Sequence, residues 1–259
     1  MRIVFIGSGN IAHFFATRLK DKGHELVQVY SRNDGHANTL AELCGIPLVT
    51  DNIQDIVQDA DAYILAIKDD ALAEVAGQLH FDGKVVIHCA GAVPLDAIAG
   101  TATDLAVIWS LYSIKKSNLP EGNAVPLIVE ANTEKARQTA LLLAGAISDN
   151  VLETDYAQRQ MLHLNAVFVN NFTNHLLAIA QKISEEHGLP FGILQPILRQ
   201  TLEQSARTLP SESQTGPALR HDEQTIAKHL SLLEAHTEWQ EVYAAITASI
   251  QQMNRIPTP

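Results

Sequence analysis

Apolar residues open the chain in an unbroken run, Ile3-Val4-Phe5-Ile6, the pattern of a short strand buried on both faces. From residue 10 to 22 the spacing changes. Ile11, Phe14, Phe15 and Leu19 recur near one helical face, and Gly23 follows as a terminator. A second apolar run over 26–30 closes a strand–helix–strand unit. Helices are then predicted over 34–43 and 51–59, a buried strand over 61–67, a helix after Lys68, and a strand ending at His88. A short helix opens at 92–94, strands follow over 105–111 and 124–130, and a helix runs from Asn132-Thr133 to about Gly145. Six or seven strands alternating with helices predict a doubly wound α/β domain over residues 1–152.

After Asp149 the pattern becomes helical, and no convincing strand follows Val151-Leu152. Thr154 or Asp155 is placed to cap a long helix reaching His187, where Gly188-Leu189-Pro190 breaks it. Helices over 192–208, from His221 or Asp222 to about 235, and over 236–253 complete the chain. A loop covers 209–217, and a frayed tail begins at Arg255, with Pro257 and Pro259. Residues 153–259 read as an all-α domain for dimerisation or substrate binding. Its long helix suits a spine between domains or an association surface.

Composition narrows the classes. Of 259 residues 46% are hydrophobic, ample for a core, and the formal net charge is −11. That charge argues against non-specific binding of nucleic acid or an anionic membrane. No apolar run reaches the ~18 residues of a membrane span. Met1 leads straight into the first strand, so no signal peptide is expected. Cys44 and Cys89 make neither a disulfide framework nor a metal motif, and no metal site is expected. A reducing, cytoplasmic setting is the simple reading.

The chemistry starts at Gly7-Ser8-Gly9-Asn10-Ile11-Ala12, a G-x-G-x-x-A spacing that follows a strand and opens a helix. That context is the Rossmann-like dinucleotide fingerprint. Gly7 permits the tight turn, Gly9 lets a pyrophosphate approach the backbone, and the helix start offers free N–H groups and a positive dipole end. Dinucleotide sites for NAD place a carboxylate at the end of the second strand. Here Ser31-Arg32-Asn33 stands there, and a hydroxyl with a forked guanidinium suits the 2′-phosphate of NADP. The bland alternatives are a packing glycine turn and a solvated arginine. The expected nucleotide contacts are Gly7, Ser8, Gly9, Asn10 and Ile11, then Ser31 and Arg32, then Ala66, Ile67 and Lys68, and His88 at its strand end. For His88 the alternative is a buried, hydrogen-bonded core histidine.

In the helical half His163, Val167, Asn171 and Asn174 recur at spacings of four, four and three, which share one face of an α-helix. A polar stripe within an apolar segment needs a polar partner. One possibility is a small substrate, with His163 and Asn171 as candidate catalytic groups. The other is a neighbouring helix or subunit. Ala90, Gly91, Asn174 and Arg220 are the candidate substrate contacts. Arg220 can clamp an anionic group, or can be a surface arginine on a capping loop.

Taken together, Gly7 to Ala12, Ser31-Arg32 and residues 60–67 resemble the Rossmann half of several enzymes. These are pyrroline-5-carboxylate reductases, deazaflavin-dependent NADP oxidoreductases, and 6-phosphogluconate and 3-hydroxyacid dehydrogenases. A resemblance over nearly the whole chain is to a branch of that superfamily with a Rossmann-like domain followed by a domain of unknown function. It is carried by His88 with Gly91 and Val93-Pro94-Leu95, by 163–168 through 171–176, and by 215–218 with Arg220 and Asp222. The resemblance implies an NADP-type oxidoreductase fold whose helical half dimerises. Members of the branch carry Thr-Ser-Gly after the histidine; Cys89-Ala90-Gly91 lacks that hydroxyl. Hydroxyacid dehydrogenases carry a lysine with an asparagine four residues later, where this chain has His163 and Val167, so their mechanism is not carried over. Two functions stay open. One is an NADP-dependent oxidoreductase passing hydride between NADPH and a small carbonyl or imine, working as a cytoplasmic homodimer. The other is a non-catalytic NADP-binding sensor or assembly protein.

Overall fold

The computed structural model describes residues 1–253, and the tail expected to fray from Arg255 lies outside them. By compactness the chain divides into Met1–Val169 and the chain from Asn170 onward.

The first unit is built on one sheet of eight strands. These are β1 (Arg2–Ile6), β2 (Glu25–Tyr30), β3 (Leu48–Thr50), β4 (Ala62–Leu65), β5 (Val85–His88), β6 (Asp104–Ser110), β7 (Leu127–Ala131) and β8 (Val151–Glu153). Their order is β3-β2-β1-β4-β5-β6-β7-β8. β1 to β6 run parallel, β7 is antiparallel to β6, and β8 is parallel to β7. The order reverses between β1 and β4, so a crevice opens at their carboxyl ends, the ligand position of doubly wound sheets. Both sheet faces are covered. On one, Ile3, Phe5, Ile64 and Ile87 pack with Phe14, Phe15 and Leu19 of α1 (Asn10–Asp21), Leu40 of α2 (Asp34–Cys44) and Leu143 of α4 (Glu134–Ile147). On the other, Val4, Ile6, Val86 and Val107 pack with Leu72 and Val75 of α3 (Leu72–Ala76) and with Phe81, Leu95 and Ile98. Apolar burial on both faces is what makes these strands continuous hydrophobic runs.

Two edge strands, β3 and β8, span three residues each, too short for periodicity to announce. The helix expected over 51–59 is only a one-turn 3-10 segment, Ile53–Asp55. The Gln28 side chain explains this. Its Nε2 donates to the Asp55 carbonyl at 2.9 Å and its Oε1 accepts from the Val57 N–H at 2.8 Å, so these backbone groups are satisfied without helix.

The long helical stretch starts where expected. Asp155 caps α5 (Tyr156–Ala166) in a capping box with Gln158. It is not uniform, however. Val167–Phe172 is a π segment, and α6 (Thr173–Glu186) follows it. Bonding from i to i+5 replaces the α-helical pattern through this segment, so the stretch is not the uninterrupted α-helix expected. In the second unit a 3-10 turn, Phe191–Leu194, leads into α7 (Gln195–Ser205), and α8 (Glu223–Leu232) and α9 (Thr237–Met253) follow. α7 and α8 are thus shorter than the periodicity predicted.

Gly7 sits at φ +113°, and a Cβ there would overlap the Ala66 carbonyl and stand 2.9 Å from Ile67 Cγ2. Gly7→Ala is therefore expected to destabilise the fold by about 2 kcal/mol or more, through backbone strain and a backbone collision. Denaturant unfolding measures it, and a loss under about 0.5 kcal/mol would contradict this packing.

Candidate functional site

A cavity of about 690 Å³ lies at the switch point. Gly7, Ser8, Gly9, Asn10 and Ile11 line it from the first turn, Ser31 and Arg32 from the end of β2, and Ala66, Ile67 and Lys68 from the end of β4. These are ten of the residues expected from the sequence. His88, the eleventh, is fully buried and is not among the lining residues. The wall also includes Tyr30, Asn33, His36, Ala71, Val75 and Lys116, none of them anticipated. Asn33 and His36 had a local signal, since Asn33 caps α2 by accepting from the His36 N–H at 3.0 Å. Lys116 had none.

The geometry fits a phosphorylated ligand. A Cβ on Gly9 would meet nothing within 4 Å, so that backbone is open to close approach. No side chain caps α1, and its first turn holds no acid. The cavity thus receives uncapped N–H groups at a positive helix end. Ser8 Oγ donates to Ser31 Oγ at 2.9 Å, and Ser31 Oγ accepts from the Asn33 N–H at 3.2 Å, tying the glycine turn to the end of β2. Three cations, Arg32, Lys68 and Lys116, line the wall with no Asp or Glu, in a chain of net charge −11. His13 is buried, with Nδ1 3.0 Å from the Gly9 carbonyl; it is part of the turn's support and does not line the cavity.

Beyond β5 the turn Cys89-Ala90-Gly91 is buried. Arg159 of α5, fully enclosed, organises it. Its Nη1 donates to the Ala90 and Gly91 carbonyls at 3.0 and 2.8 Å, and its Nε donates to Glu130 Oε2 at 3.0 Å. Tyr156 Oη donates to the Ala92 carbonyl at 3.3 Å. His163, half-buried, packs its ring 5.5 Å from that of Trp109. A Cβ on Gly91 would stand 2.7 Å from Trp109 Nε1 and 2.9 Å from His163 Cδ2, so any larger residue would have to displace these rings. Arg159 was missed by sequence reading, although Tyr156, Arg159 and His163, spaced by three and four, share a helical face.

His88 Nδ1 accepts from the Ala90 N–H at 3.2 Å, so its proton sits on Nε2, which has no partner among the described residues. Burial, aided by the Arg159 charge, lowers its pKa from 6.5 to about 3. Burial likewise pushes the Cys89 thiol well above its ordinary range, which leaves it unreactive. Asn171, Asn174 and Arg220 belong to the second unit, and each is exposed.

Comparison with known proteins places this geometry. Residues 2–91 match the model of the NADP oxidoreductase, coenzyme F420-dependent family, and residues 125–250 match a domain of unknown function, DUF2520. The structure of a Bacteroides fragilis protein provisionally named an NADP oxidoreductase is 32% identical, covers 97% of this chain and 98% of its own, and superposes with a TM-score of 0.88. The chain belongs to this NADP oxidoreductase family. The fold is shared more widely: Streptococcus pyogenes 1-pyrroline-5-carboxylate reductase, 20% identical, covers 99% of both chains at a TM-score of 0.61. A curated relative, L-aspartate dehydrogenase of Methanospirillum hungatei, is 33% identical over 87 residues, and the chain spans only 34% of that enzyme's length.

One consequence of the buried turn is a pH dependence of stability. The unfolded chain protonates His88 near 6.5, whereas the folded chain does so near 3. The stability gained by keeping His88 neutral is whole above pH 6.5 and is lost as pH falls toward 3, at up to about 1.4 kcal/mol per pH unit. His88→Gln is expected to flatten this limb between pH 6.5 and 4.5 in urea unfolding; equal slopes in both proteins would refute it.

Proposed function

We propose that this protein is an NADP-dependent oxidoreductase acting on a small carbonyl or imine. The observation that carries the choice of NADP is the end of β2. Ser31, Arg32, Asn33 and His36 line the cavity, and no carboxylate is present to hold a ribose 2′-hydroxyl or repel a 2′-phosphate. A bound nicotinamide supplies or accepts the hydride. On this reading Gly7, Gly9 and the start of α1 receive the pyrophosphate. His163 orients the substrate or passes it a proton. His88 stays neutral and supports the turn from beneath. An imine or carbonyl substrate is supported by two similarities, to a pyrroline-5-carboxylate reductase in fold and to an aspartate dehydrogenase over a third of the chain.

A second reading, an NADP-binding protein without turnover, is favoured by the same turn. Cys89 and Ala90 place no hydroxyl there, and the Cys89 thiol is held protonated. The readings separate in one experiment. NADPH is expected to bind at least tenfold tighter than NADH, about 1.4 kcal/mol, with the preference lost in Arg32→Ala. Nucleotide fluorescence reads the affinities, and equal wild-type binding of both nucleotides would sink the NADP assignment. Oxidation of NADPH by any member of a keto-acid and cyclic-imine panel would end the second reading.

The working form on this reading is a homodimer through the helical region. Among its described residues the second unit buries only Ser184, Ala218 and Ile226, while Ile193, Ile197, Leu202 and Leu232 stay 59–72% exposed. A unit of that size does not hold together on so small a core without a covering surface. Sedimentation at micromolar concentration is expected to give twice the chain mass of 28.2 kDa, and a monomer would contradict it.

A further inference from the structure

Most of the loop between β6 and β7, residues 111–124, lies outside both family matches, which end at residue 91 and begin again at 125. It is nevertheless pinned along α1. Ile114 is buried in the same core cluster as Ala12 and Phe14 of α1. The Lys116 N–H donates to Asn10 Oδ1 at 3.0 Å, at the first residue of α1. Further on, Arg18 Nη2 donates to the Pro120 carbonyl. The two adjacent lysines are thereby sorted. Lys116 lines the nucleotide-sized cavity and also a neighbouring hollow with Thr39 and Glu42, whereas Lys115 lines a separate surface hollow with Tyr112, Asn118 and Glu121. Among the described residues no carboxylate lies within ion-pair distance of the Lys116 ammonium.

We propose that Lys116 is a pyrophosphate-binding cation, carried over the N-terminus of α1 by the β6–β7 loop. This rests on the dinucleotide reading above. The charge pattern divides the labour. Arg32 stands at the end of β2, beside Ser31 and Asn33, where a 2′-phosphate belongs. Lys116 stands at the uncapped start of α1, where the pyrophosphate belongs. A point-charge ammonium on a flexible stem suits two phosphates that already receive fixed backbone donors. In a chain of net charge −11 this cation offsets a repulsive background field that the helix end alone meets only in part.

The test is Lys116→Ala, with Lys116→Arg beside it, titrated with NADPH and with NADH. The loop's contact to Asn10 is made by backbone, so the substitution leaves it docked, and an unchanged thermal midpoint verifies this. The expected result is an affinity loss of about tenfold for both nucleotides, leaving their ratio as in wild type, with recovery in Lys116→Arg. Unchanged affinities would overturn the proposal. So would a loss confined to NADPH, which would put Lys116 on the 2′-phosphate. Wild-type protein that binds neither nucleotide would overturn the cofactor reading and this inference together, whereas wild-type binding with an indifferent variant overturns this inference alone.

Discussion

At Gly7 the main chain leaves β1 so close to the end of β4 that a methyl group there would overlap the Ala66 carbonyl. Gly7 and Ala66 both line the cavity at this point. Only three residues separate the end of β1 from the start of α1, whose first residues Asn10 and Ile11 line the cavity. The contact at Gly7 also explains the contrast between the two fingerprint glycines. Gly7 needs its missing side chain for the protein's own packing, at a positive φ. Gly9, with open space around it, leaves room for a ligand.

A second constraint acts at the turn after β5. A fully buried arginine is costly unless it is paired, and Arg159 pairs with a carboxylate on β7 and donates to two carbonyls of the turn. The pair Arg159–Glu130 therefore joins the turn, the far side of the sheet and the start of α5 in one network. The same positive charge, together with burial, keeps His88 neutral beside it. Burying these groups defines the conformation of the turn, because a hydrophobic replacement would hold no carbonyl in place.

Charge at the cavity follows a similar logic. The chain is acidic, with 29 acidic against 18 basic residues, yet the cavity wall carries three cations and no carboxylate. A surface of one sign with a pocket of the other concentrates an anionic ligand at that pocket. Two of the cations follow strands directly, Arg32 after β2 and Lys68 after β4, so their place could be read from the strand pattern. Lys116 arrives from a long loop held by the burial of Ile114 and by Arg18 of α1, which donates to the Pro120 carbonyl.

What the sequence determined by itself is the local part of the molecule. The apolar runs at residues 3–6, 26–30 and 61–67, and the G-x-G-x-x-A spacing between the first two, specified the parallel sheet and ten residues of the cavity wall. Each of those signals spans a few residues and a fixed period. The three-residue strands β3 and β8 carried too little pattern to be seen. The helix expected over 51–59 failed because Gln28, more than twenty residues away, satisfies its backbone. The tertiary structure alone decided three further matters. It set His88 beneath the site with a lowered pKa, it enclosed Arg159 against Glu130, and it brought Lys116 to Asn10 across 106 residues of chain. The π segment at Val167–Phe172 likewise interrupts a helix that the sequence pattern presented as continuous. Burial, long-range hydrogen bonds and helix continuity are properties of the packed chain. They depend on which distant groups end up adjacent, and no period in the sequence encodes that.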